Sequence, residues 1–233
     1  MPLARSATLT SAISDTDATS TTTASITPTA NALVLLYAFS NKATTPDTPT
    51  ATGNGLTWVQ VATVTVGTHR ITCFRAMGAS PSAGAVTIDW VNTQLARGHV
   101  IEQWTGVDTS GTNGSGALVQ SATNSSGPDV TSLTVSLAAL GSASNGTSSA
   151  FAKLVNTALT PRTGWTESFD GTSEAPECDF ETQFKVAGEA TASATTAGDP
   201  EGNFVGLAVE IKEEAGAPAV TIVMLRTLIG VGQ

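Results

Sequence analysis

The chain has 233 residues, 10 basic and 19 acidic, a net charge of −9 and only 12% charged side chains. That length suits one large domain or two small ones, and it can bury a core without disulfide staples. Scattered cations argue against nucleic-acid binding, which needs clustered Lys and Arg. The Thr-, Ala-, Ser- and Gly-rich composition is unlike that of a helical cytosolic enzyme.

The residues after Met1 contain no long apolar run, so no signal peptide is expected. Ala32 to Phe39 and Val220 to Val231 are both too short to span a bilayer. Residues 1–19 are polar and are expected to be extended, with an edge strand possible only from about Ala18 to Ile26. Leu33 to Phe39 is almost continuously apolar, the pattern of a central strand covered on both faces. Leu56 to Val66 alternates weakly. His69 to Met77 sets Ile71 and Cys73 opposite Thr72 and Phe74. Val86, Ile88 and Trp90 share one face of the next segment, and Arg97 to Trp104 follows. Leu133, Val135 and Leu137 alternate with Thr134 and Ser136. Ser149 to Leu154, Thr182 to Val186 and Thr191 to Thr195 are weaker candidates. Val205, Leu207, Val209 and Ile211 close the series.

Helical spacing is almost absent, and β-branched Thr and Val suit pleated surfaces. About ten strands with Gly, Pro, Asn and Asp turns between them predict an all-β protein, an antiparallel β-sandwich of jelly-roll type. The expected core includes Leu35, Ile88, Trp90, Val135, Leu207 and Val209. The sandwich is expected over residues 20–213, with residues 214–233 forming a linker and an apolar segment. In that segment Val220, Ile222, Met224 and Leu228 would line one face of a strand. Val223, Leu225 and Ile229 would line the other, and Arg226 would sit at the rim. A strand apolar on both faces must be covered on both, so these residues are expected to dock on a partner subunit.

Several motifs together carry a resemblance. They are Thr29-Ala-Asn-Ala-Leu-Val-Leu-Leu, Gly55-Leu-Thr-Trp58, His69 to Ala76, Val86-Thr-Ile-Asp-Trp90, Glu102-Gln-Trp-Thr-Gly-Val-Asp108, Gly164-Trp165 and Phe204 to Ile211. Over roughly residues 20–213 the chain resembles a lectin-like β-sandwich module found in many phage virion proteins and some bacterial secreted proteins. The resemblance implies a jelly-roll-like fold and transfers no catalytic residue. The apolar C-terminal segment and the lack of a secretion signal favour the virion branch. The expected function is therefore a non-enzymatic capsid decoration, or cement, protein on the virion surface. Its expected partners are the major capsid protein or other virion subunits and copies of itself, with no nucleic acid and no membrane. The alternative is a carbohydrate-binding or adhesive module on a phage tail or bacterial surface.

Chemistry is sparse. No phosphate-binding loop, dinucleotide fingerprint, nucleophile elbow or zincin helix occurs, and no cofactor or metal is expected. His69 and Cys73 share a strand face but lack the spacing of a closed zinc site. Cys73 and Cys178 read as two small buried residues. Glu167, Asp170, Glu174, Glu177, Asp179 and Glu181 form the densest charge run. Calcium ligation and a paired-carboxylate glycosidase site are the functional readings of this run, and a solvated acidic loop is the expectation. Glu102, beside Trp104 in an apolar strand, is expected to hold a turn through loop amides rather than act as a raised-pKa acid. Of Trp58, Trp90, Trp104 and Trp165, at least three are expected in the core rather than on a sugar-stacking face. The sequons at Asn113, Asn124 and Asn145 are expected to be chance products of a Ser/Thr-rich sequence.

Overall fold

The structure is a computed structural model that describes residues 1–127, 130–197 and 202–215. The docking segment expected at Val220 to Ile229 lies outside the described residues. Among the described residues there are sixteen strands and no helix: β1 (Ala4–Ser14), β2 (Ala18–Thr22), β3 (Leu33–Asn41), β4 (Thr50–Gly53), β5 (Val59–Val66), β6 (His69–Ala76), β7 (Val86–Gln94), β8 (Ala96–Thr105), β9 (Leu118–Ser126), β10 (Ser132–Ser136), β11 (Gly146–Lys153), β12 (Leu159–Pro161), β13 (Thr166–Glu174), β14 (Glu177–Lys185), β15 (Thr191–Thr196) and β16 (Phe204–Ile211). All pairings are antiparallel, so the all-β sandwich expectation holds. Residues 4–14, expected to be a loose extended segment, instead form β1 on the edge of a sheet.

The strand order repeats along the chain. One five-stranded sheet runs β1-β8-β3-β6-β5, beside a three-stranded sheet β2-β7-β4. The second half gives β9-β16-β11-β14-β13 and β10-β15-β12 when read in the same direction. In each half the first and eighth strands pair, the eighth pairs with the third, and the third with the sixth. That is jelly-roll winding, performed twice.

Three cores follow from this. Leu36, Ala38, Phe74 and Ile101 on the large first sheet pack against Val86, Ile88 and Trp90 of β7. Phe151, Phe204 and Ala208 on the large second sheet pack against Leu133, Val135 and Ala192 of its small sheet. The two large sheets then pack back to back through Leu35, Tyr37, Phe39 and Trp104 on one side and Phe180, Leu207 and Val209 on the other. This explains the unbroken apolar run of β3: odd positions face the other half and even positions face β7. All six residues expected in the core are buried. Cys73 and Cys178 are free thiols within the back-to-back core.

Two glycines permit the close approach of aromatic rings. A Cβ on Gly98 would stand 2.9 Å from the Phe180 ring across the junction. A Cβ on Gly206 would stand 2.7 Å from the Phe151 ring. Either ring would have to withdraw from a larger residue.

Candidate functional site

The acidic run is not a solvated loop. Glu167, Asp170 and Glu174 lie on β13, Glu177, Asp179 and Glu181 on β14, and the two strands are paired. Asp170 stands opposite Glu181, and Thr172 opposite Asp179. Glu167, Glu174 and Glu177 are exposed and Asp170 is half-buried. Asp179 and Glu181 are fully buried, and neither carboxylate oxygen of either one meets a hydrogen-bond donor. Alternation turns these side chains away from Cys178 and Phe180 and toward the small sheet. Lys153, also fully buried, is the cross-strand neighbour of Asp179, and its Nζ lies 6.0 Å from the Phe204 ring centroid.

Burial first, and then the neighbouring Asp170 carboxyl, push both Asp179 and Glu181 up to about 9. Burial also raises Asp170, and burial with Asp170 nearby raises Glu167. At neutral pH Asp179 and Glu181 are therefore neutral acids. Sealed under the small sheet, they offer no face to a glycoside. Among the described residues no three His, Cys, Asp or Glu side chains are grouped to hold a metal ion.

Glu102 does not hold a turn. Its Oε2 accepts from Arg5 Nε at 3.1 Å, and its Oε1 accepts from Trp104 Nε1 at 2.9 Å and from the Ser148 hydroxyl. Tyr37 donates to Ser148 Oγ at 2.8 Å, which completes a buried polar link between the two large sheets. Burial pushes the Tyr37 hydroxyl and the Cys73 thiol well above their ordinary values.

The turn-holding role expected of Glu102 belongs to Glu210 on β16. Its Oε1 accepts from Gly141 N at 2.8 Å and from Asn145 Nδ2 at 2.7 Å, and its Oε2 accepts from Gln120 at 2.7 Å. Gln103 does the same in the first half, accepting from Thr29 N at 2.6 Å and donating to Ser6 Oγ on β1 at 3.0 Å. In each half the eighth strand thus pins the loop that leads into the third. The sequence signal of the repeat is Gly55 to Trp58 against Gly164-Trp165, each leading into the fifth strand of its half.

His69 and His99 are buried, and loss of hydration lowers both to about 4. His69 sits beside Phe39, with ring centroids 5.6 Å apart. Trp90, Trp104 and Trp165 are in the core and Trp58 is half-buried against it, so none of the first three can stack on a sugar. Asn145 is buried and Asn124 donates to Thr134 O, so both amides are engaged within the fold. No helix among the described residues is long and apolar enough to cross a membrane.

Two cavities gather at one pole of the molecule. The chain returns there after β16. Lys212 N donates to Ala117 O, Glu213 bridges to Val107, and Glu214 N donates to Gly106 O at 2.8 Å. The N-terminus arrives at the same place: Leu3 N donates to Glu213 Oε1 at 3.3 Å, and the terminal amine lies 3.7 Å from Glu214. Lys212 Nζ, 2.6 Å from Asp108, holds that carboxyl down at about 2. Two cavities flank Glu214. The larger, about 650 Å³, is lined by Leu118, Val119, Gly141, Asn145, Glu213 and Ala215 among others. The smaller, about 300 Å³, lies among Met1, Thr29 to Ala32 and Thr105 to Val107. They occupy the same place in the two halves, between the start of the first strand, the loop before the third and the exit of the eighth.

Comparison with protein-family models, curated proteins and solved structures finds no match.

Proposed function

We propose that this is a non-enzymatic structural protein of a phage virion, a capsid decoration protein that stabilises the shell through contacts made by its chain ends. The observation that carries the reading is the pole. The N-terminus, the chain at Glu213 to Ala215 and two cavities meet there, and the apolar residues 220–229 follow in the sequence after a short Gly- and Pro-containing link. The resemblance to lectin-like virion modules points the same way. Asp179 and Glu181 are buried and three of the four tryptophans lie in the core, so none of these side chains is presented at the surface. The sandwich is the projecting body, and the tail is the means of attachment to the major capsid protein and to neighbouring copies on the capsid surface.

The test compares the full chain with one ending after Glu214. The full chain should sediment with particles at a fixed ratio to the major capsid protein. The shortened chain should keep its melting temperature within a few degrees and lose particle binding. A shortened chain that unfolds, or one that still binds, overturns the reading.

A further inference from the structure

We propose that the larger cavity is the receptor for residues 220–229 of a second copy, exchanged reciprocally about a two-fold axis. This rests on the attachment reading above and names the acceptor. The cavity opens at the start of β9, which pairs with β16 alone among the described residues and so ends its sheet. An added strand can therefore continue the sheet there while its side chains enter the cavity. Val119, on the lip, is 46% exposed, an apolar side chain with no cover of its own.

The donor matches this place in chemistry. Residues 216–233 carry a single charge, Arg226, in a chain of net charge −9. Glu213 and Glu214 line the cavity rim and supply the complementary carboxylates. One apolar face of the strand would enter the cavity and cover Val119.

The two-sided apolar pattern decides between the chain's own tail and a neighbour's. A strand apolar on both faces must be covered on both, and its own cavity could meet only one of them. A reciprocal pair would meet the second face with the body of the other copy. Ala215 lines the cavity and only Gly216 to Ala219 separate it from Val220, so exit and acceptor are adjacent and the exchange makes the same contact twice.

The experiment uses the full chain. Light scattering should give twice the 23.5 kDa of one chain. Gly141→Trp fills the cavity from a position where a Cβ meets nothing closer than 3.6 Å, so the fold should tolerate it and the pair should separate at least tenfold more readily. Gly141→Ala should leave the pair intact, and Arg226→Glu should weaken it most at low salt. A photo-crosslinker at position 119, in a mixture of isotopically heavy and light chains, should join residues 220–229 of the other copy. A monomeric full chain, a pair indifferent to Gly141→Trp, or a crosslink confined to one chain overturns the proposal. If particle binding survives any of these, the attachment reading stands and only the acceptor is wrong. If the chain ending after Glu214 still binds particles, the attachment reading itself is lost.

Discussion

Arg70 and Asp179 stand at the same place in the two halves, yet they meet opposite conditions. The ladders fix the equivalence: Val34 lies between Ala76 and Gln103, and Thr147 lies between Lys185 and Glu210. Further along the same strands, Ser40 faces Arg70 and Lys153 faces Asp179. In the first half the guanidinium reaches outward, with Nε donating to Pro46 O at 3.0 Å and a terminal nitrogen to Thr63 Oγ1 at 2.9 Å. In the second half the short carboxylates cannot reach a donor and remain under the small sheet. The winding is thus indifferent to the charge placed at this corner, but the stability is not. A long side chain can carry its charge to an acceptor, whereas a short one must give the charge up.

The largest expected effect tests whether the halves are one unit. Leu207→Ala, in the back-to-back core, should cost about 2–5 kcal/mol and should destabilise both halves together. Separate melting of the halves by calorimetry would show that the shared core does not couple them.

Glu210→Ala should cost about 1–3 kcal/mol, because Gly141 N, Asn145 and Gln120 all lose an acceptor. Glu210→Gln should cost far less, since Gln103 performs the same task in the first half. Equal losses in denaturant melts would break the equivalence of the two pinning residues.

The acid corner has a pH signature. Asp179 and Glu181 hold protons in the fold up to about 9, while an unfolded chain releases them near pH 4. Their contribution is fully present below pH 4 and is lost as pH rises toward 9. His69 and His99 work the other way, protonating near 6.5 when unfolded and only near 4 when folded, so their contribution is lost as pH falls from 6.5 to 4. The two slopes oppose each other between pH 4 and 6.5, which leaves a decline in stability from about pH 6.5 to 9. Asp179→Asn with Glu181→Gln should remove that decline and raise stability at pH 8 by more than about 1 kcal/mol. An unchanged pH profile would mean the acids are hydrated.

The smallest effect should come from Arg70→Met, which keeps the stem and loses two hydrogen bonds at a partly solvated site. It should cost about 0.5–1.5 kcal/mol in a denaturant melt, well below the double acid replacement in size if the acids are as dry as described.

The strands legible in the sequence are those with a hydrophobic face on each side or a clear alternation: Leu33 to Phe39, Val86 to Trp90 and Val205 to Ile211. Those missed, β1, β9 and β13, all end their sheets. Half-solvated edges tolerate Ser, Thr, Asn and Glu, so no apolar period marks them. β4 and β12 are too short to show one. The acidic run is illegible for a different reason. Strand pairing buries Asp179 and Glu181, and nothing local in the sequence announces which partner covers them. The cavities at the pole were beyond sequence reading, because their walls come from the starts, loops and ends of strands far apart in the chain.

The return of the chain at Glu213 has a mechanical consequence. Tension applied to the tail enters β16, which is bonded on one side to β11 and on the other to β9. A pull along that strand cannot peel it one bond at a time from a free edge. It must shear two ladders at once, and the rate at which they fail, rather than the equilibrium stability of the fold, sets how long the body stays tethered under load.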